Sequence, residues 1–260
     1  MVNLLLAATI AEGTVVIFAT FIVAMLFRRY FIRRKPAALA LSVAFMWWDF
    51  AIISLFICRL LAFLRDEGFL PAFAAGDIKT EDLGIMIGYG YSALSNVFIM
   101  VFVALVFSQS PMFRRTGMLI PLLIGALNGV TIGLLIGSTI DTFPQPEYQL
   151  MPTIYHLLLT IISFSALIIF TVRPLKYADY KWEKAGFRFI IVSGVFGILI
   201  YLSFAIDFML GPGLLQVFDQ GYTPMYFIAY VFAVVMISFA YMGYVMPKFI
   251  RDRYKEKPIE

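Results

Sequence analysis

Hydrophobic residues fill seven long stretches of the chain, at roughly residues 3–27, 37–64, 84–108, 118–139, 151–172, 187–211 and 223–246. Each carries almost no charge. Each is also long enough to cross the hydrocarbon core of a bilayer as a helix, which takes ~20 apolar residues. Turn and charge signals mark the intervals: Arg33-Arg34-Lys35-Pro36, Phe69-Leu70-Pro71, Pro111-Met112, Phe143-Pro144-Gln145-Pro146 and Gly211-Pro212-Gly213. The pattern predicts an all-α membrane protein, a seven-transmembrane helix bundle over residues 1–247 followed by a short basic tail, 248–260. The first stretch is longer than a signal peptide, lacks a basic start and runs into Arg28-Arg29, so it reads as a retained helix.

Composition sharpens this picture. Of 260 residues, 62% are hydrophobic and only 14% charged. A soluble domain sits nearer half apolar and a quarter charged, so a soluble enzyme, a nucleic-acid-binding domain and a disordered chain are excluded. One cysteine, Cys58, and one histidine, His156, leave no intrachain disulfide, no thiolate cluster and no multi-histidine metal site. No metal or cofactor is expected.

Orientation follows from the cations. The first, third and fifth connections and the tail hold 17 of the 20 Lys and Arg. The other side holds Arg65 and Lys79 beside Asp66, Glu67, Asp77, Glu81, Asp82, Asp141, Glu147 and Asp219. Basic loops stay in the cytoplasm, which predicts an external N-terminus, a cytoplasmic C-terminus and a multi-pass protein of the cell membrane. The basic balance then reflects topology and contact with anionic lipid. The connection over residues 65–83 has room for a short hairpin or helix at most, and no output domain is recognised, so a signal would leave through a separate cytoplasmic or membrane partner.

Small residues recur every four positions in the fourth stretch, at Gly125, Gly129, Gly133 and Gly137. Such a stripe brings helix backbones close. Tight packing inside the bundle is the first expectation, and a homo-oligomer seam the alternative. Gly84, Gly88 and Ser92, and then Ser193 and Gly197, repeat the theme.

Ionisable residues inside spans are costly and therefore functional candidates. They are Glu12, Asp49, Arg59, His156 and Asp207, accompanied by Asn96 and Asn128. Helical spacing gathers Tyr89, Ser92 and Asn96 on one face, Thr153, His156, Thr160 and Ser163 on another, and Tyr226, Tyr230, Tyr241 and Tyr244 on a third. Asp49 is expected to pair with Asn96 or Asn128. Arg59 either reaches the headgroups or pairs with Asp207 or Glu12. The tyrosine stripe reads first as packing, and Trp47 and Trp48 lie too deep for an interfacial belt. Polar groups concentrate in the middle and outer half of the spans, while the inner half has no charge and a few hydroxyls, among them Ser42, Ser165, Ser193, Tyr241 and Tyr244. The expectation is an outward-facing polar pocket above a packed floor, with Glu12, Arg59, Asn96, His156, Asp207 and Tyr230 binding a small apolar or amphipathic ligand.

Two resemblances bear on function. Gly90-Tyr91-Ser92-Ala93, with His156 two helices later, resembles the serine–histidine dyad of rhomboid intramembrane proteases, but Thr153-Ile154-Tyr155 replaces the glycine and alanine pattern that precedes the rhomboid histidine. The seven-span plan resembles microbial rhodopsins and the seven-helix sensor modules of histidine kinases. The resemblance implies a receptor-like bundle. A retinal pigment needs a lysine within the last span, where this chain has Ala233-Val234-Val235-Met236-Ile237-Ser238-Phe239-Ala240. The expected function is therefore that of a receptor-like or sensory protein. A small-molecule or ion transporter and a structural subunit of a larger membrane complex are the alternatives.

Overall fold

The computed structural model describes residues 2–70, 80–142, 150–210 and 223–254. Among the described residues, seven helices are long and apolar enough to span a bilayer: α1 (Val2–Arg33), α2 (Pro36–Asp66), α3 (Thr80–Val106), α5 (Leu119–Thr142), α6 (Leu150–Tyr177), α7 (Lys181–Phe208) and α8 (Pro224–Val245). Two short helices, α4 (Pro111–Thr116) and α9 (Lys248–Arg253), follow α3 and α8. The chain is thus an integral membrane protein that crosses the bilayer several times. Lipid offers no hydrogen-bond partner to a bare backbone, which leaves helices as the way to cross for segments such as these.

Local signals explain the helix ends. Lys35 is extended and Pro36 opens α2, where its missing N–H costs no hydrogen bond. Ser110 caps α4 and Thr223 caps α8, each just before a proline. Met246 takes a left-handed conformation after α8, with Pro247 next. Several helices overrun the apolar stretches read from sequence. The helix α1 continues through Arg28 and Arg29 to Arg33, and α6 passes Pro174 to end at Tyr177. Charged residues stop a membrane span without stopping a helix. The proposed hairpin or helix of the second connection and two of the proline turns lie largely outside the described residues.

Packing closes a ring. The helix α1 packs on α2, α2 on α3, α3 on α6, α6 on α7, α7 on α8, and α8 back on α1, while α5 sits outside in the angle between α3 and α6. Across the ring, α2 and α3 face α7 and α8 without close backbone packing. Call the half in which α1 begins the upper half. The lower half is filled by apolar side chains, among them Phe45, Phe102, Phe164, Leu167 and Ile190, around a void of about 20 Å³. Outward faces are apolar too, as at Ile10, Ile17, Phe21, Leu122 and Val231, which is what lipid contact requires.

The glycines divide into two sets. A Cβ on Gly84 would sit 2.7 Å from Cys58 Cβ, and one on Gly243 would sit 2.9 Å from the Gly186 carbonyl oxygen. Those positions bring α2 to α3 and α7 to α8. Gly197 likewise lies against the Phe164 ring. Gly129, Gly133 and Gly137 meet nothing within 4 Å, and Gly125 meets only Val97 at 3.7 Å. The expectation that this stripe packs tightly inside the bundle is corrected: α5 turns it away from its neighbours.

The contrast is testable. Gly84→Ala should lower stability by about 1–3 kcal/mol through overpacking. Gly133→Ala should leave it unchanged or raise it by up to ~1 kcal/mol through helix propensity. Thermal unfolding in detergent micelles checks both, and equal losses at the two sites would contradict this packing.

Candidate functional site

Two polar networks cross the upper half. The first begins on α1, whose buried stripe of Leu5, Ala8, Thr9, Glu12, Val15 and Ala19 turns Glu12 into the ring with 0% exposure. Arg59, in the last third of α2, donates from Nε to Glu12 Oε1 at 2.8 Å. Its Nη2 donates to the Tyr226 hydroxyl at 3.0 Å, and its guanidinium carbon lies 4.8 Å from the Tyr226 ring centroid. Tyr226 and Tyr230, one turn apart on α8, both donate to Glu12 Oε1, the latter at 3.2 Å. Their hydroxyl oxygens are 2.9 Å apart. One carboxylate oxygen therefore collects a guanidinium and two phenols from α2 and α8. Glu12 Oε2 is buried with no hydrogen-bond partner among the described residues.

The second network joins α3, α6 and α7. Ser92 Oγ is 3.1 Å from His156 Nε2 and hydrogen-bonds the Tyr201 hydroxyl. The Tyr201 side chain also bonds Trp48 of α2. His156 stacks obliquely on Tyr89 and edge-on to Tyr201. Below it, Asn96 donates to Thr160 Oγ1 at 2.7 Å and approaches Asn128 Oδ1 at 3.4 Å.

Between the two networks lies a cavity of about 60 Å³, bounded by α2, α3, α7 and α8. Such a volume has room for about four waters or a small ligand, and is far too small for a polyene or a lipid chain. Its polar wall is formed by Tyr89, Ser92, Tyr201, Asp207, Tyr226 and Tyr230, and its apolar wall by residues including Trp48, Ile52, Leu55, Phe204 and Ala233. Asp207 Oδ1 accepts from Thr223 Oγ1 at 2.6 Å. The same Thr223 oxygen accepts from the backbone N–H groups of Met225 and Tyr226, so the α8 cap and the Asp207 carboxylate share one hydroxyl.

The six residues singled out by sequence separate into three groups. Asp207 and Tyr230 line the cavity. Glu12, Arg59 and His156 stand behind its wall, bonded to lining residues. Asn96 lies in the seam between α3, α5 and α6, away from the cavity. Arg59 pairs with Glu12, one of the two acidic partners considered. The expected pairing of Asp49 with Asn96 or Asn128 is corrected: Asp49 accepts from Thr20 of α1 at 3.0 Å, because its face of α2 turns toward α1 and not toward α3. Tyr226 and Tyr230 pack in the core, as expected of the tyrosine stripe, and their hydroxyls in addition bond the Glu12 carboxylate. Trp48, Tyr201 and Phe204 had no spacing signal that marked them as wall residues.

Ser92 and His156 do meet, as a serine–histidine pair would. Tyr201 engages the same Ser92 oxygen, and both side chains are buried. Among the described residues no cluster of His, Cys, Asp and Glu suits a metal ion.

Removing one member of the buried pair should cost more than removing both. Arg59→Met leaves a buried carboxylate without its cation and should lower stability by about 3–5 kcal/mol. Glu12→Gln combined with Arg59→Met should recover most of that loss. Denaturant titration in mixed micelles measures it, and additive losses would contradict the pairing. No family model, curated protein or solved structure matches the chain.

Proposed function

We propose that this protein is a receptor-like membrane protein that holds a small ligand in the upper cavity. The observation that carries the reading is the division of the bundle. A cavity with polar side chains set in a largely apolar wall occupies one half, and close-packed aromatic and aliphatic side chains fill the other. The basic residues Arg28, Arg33, Arg114, Arg173 and Lys181 belong to the lower half's connections, and positive-inside bias makes that half cytoplasmic. The ligand then arrives from outside.

The proposed mechanism is a population shift. Tyr226 and Tyr230 face the cavity and also hold Glu12. Tyr201 and Ser92 face it and join α7 to α3. A ligand that exchanges hydrogen bonds with these hydroxyls favours a different spacing of α2 and α3 from α7 and α8. The cytoplasmic connections present that change to a partner. The apolar lower half weighs against the transporter reading, which needs a polar path continuing downward.

Cysteine accessibility tests this reading in a Cys58→Ala background. A small membrane-impermeant thiol reagent should modify Leu55→Cys from the outside only. Leu41→Cys, in the lower half, should be protected from both sides. Modification of Leu55→Cys from the cytoplasm alone, or of Leu41→Cys from the cytoplasm, would overturn it.

A further inference from the structure

We propose that the lower end of the bundle, where α1 adjoins α8 and α9, binds the phosphate of an anionic lipid through Arg29 and Arg251. This site is separate from the cavity and does not depend on the function read there. The first argument is a pair of unmet donors. Arg29 lies in the last turns of α1 and Arg251 in α9. Both residues are half-buried, and in each the Nε–H is enclosed by protein without an acceptor among the described residues. Arg59, in the upper half, shows the opposite solution, donating to Glu12 and Tyr226. A buried guanidinium N–H without an acceptor is costly. An acceptor from outside the chain would remove that cost, and a phosphate offers several oxygens to the fork of guanidinium donors.

The second argument is charge and depth. The helices α1 and α8 pack together, and Arg33 is close enough to Tyr244, at the lower end of α8, to act on it electrostatically. The chain then passes only Met246 and Pro247 before α9 begins at Lys248. The two ends therefore meet at one corner. Residues 28–35 carry five cations and residues 248–253 three, against one carboxylate, Asp252. Arg29 lies about 40 Å along α1 from Val2, at 1.5 Å per residue. That is past a hydrocarbon core of ~30 Å and level with the lipid phosphates. Apolar side chains are exposed on α1 at Phe21 above it and at Phe31 and Ile32 beside it. The Arg34 guanidinium also rests 5.5 Å from the Phe31 ring centroid. Cations and apolar surface thus occur together at one depth. A phosphate that carries acyl chains uses both, and a soluble phosphate uses only the first.

The test titrates the delipidated protein, in a neutral detergent, with phosphatidylglycerol and with phosphatidylcholine of the same acyl chains. Native mass spectrometry counts the lipids bound. The first phosphatidylglycerol should bind at least about tenfold more tightly than phosphatidylcholine. Arg29→Gln and Arg251→Gln should each weaken it several-fold. Arg114→Gln, on α4 at the same end of the bundle, should leave it unchanged. Millimolar inorganic phosphate should not displace the bound lipid. Without lipid, Arg29→Gln and Arg251→Gln should unfold at the temperature of the native chain, since neither guanidinium bonds a described residue. Added phosphatidylglycerol should raise the unfolding temperature of the native chain more than that of either variant. Equal affinity for the two lipids, or an equal loss in Arg114→Gln, would overturn the site. Displacement by inorganic phosphate would overturn its assignment to a lipid. A lower unfolding temperature of either variant without lipid would make that arginine part of the fold and overturn the proposal as well.

Discussion

The upper half of this bundle is organised by the need to keep one carboxylate, Glu12, inside an apolar environment. Removing an ion from water costs several kcal/mol even after relaxation, and Glu12 has no exposure at all. Arg59 answers it with a charge-assisted hydrogen bond, and Tyr226 and Tyr230 add two donors to the same oxygen. Those three partners lie on α2 and α8, so compensating one charge ties together three helices. The Arg59 guanidinium is itself compensated by the Tyr226 ring and hydroxyl. Disturbing any one of these groups exposes the others to an unfavourable environment.

The cavity follows from this arrangement. In the lower half, Phe45, Phe102, Phe164 and their neighbours interdigitate across the ring and leave little space. In the upper half the ring is crossed instead by polar pairs, Arg59 to Tyr226 and Ser92 to Tyr201. Polar side chains that meet end to end hold α2 and α3 away from α7 and α8 at a distance set by the hydrogen bonds. Apolar packing has no such fixed reach. Between the two crossings the space is left open, with Asp207 and six aromatic side chains in its wall. Elsewhere buried hydroxyls are satisfied within their own helix, as Thr9, Ser42, Ser163 and Thr171 bond the carbonyl four residues back. Those residues place no constraint on neighbouring helices. The polar groups that shape the site bond partners on other helices instead, as Arg59, Ser92, Tyr201, Tyr226 and Tyr230 do.

The spans were legible in the sequence because lipid imposes a simple rule of length and polarity on every crossing. The uneven depth of the polar groups was legible too, and it coincides with the division between a polar upper half and an apolar lower half. Partners were less legible. Asp49 bonds Thr20, a threonine without any periodic signal, because rotation of α2 about its axis is set by packing with α1 and α3 together. The stripe at Gly129, Gly133 and Gly137 signals close approach by some backbone, yet spacing alone does not say that α5 sits outside the ring. Tyr226 and Tyr230 showed their shared face at a separation of four residues. Only the location of Glu12 on the adjoining α1 distinguishes a carboxylate-binding pair from ordinary aromatic packing.

The central claim is that Glu12 holds α2 and α8 in register across the upper half. It is tested most directly by pulsed electron spin resonance between labels at Leu61→Cys and Val231→Cys, both on lipid-facing positions, in a Cys58→Ala background. The account predicts one narrow distance distribution for the otherwise native chain, and a broadened or longer one when Glu12→Gln removes the charge. An unchanged distribution in the Glu12→Gln protein would contradict it.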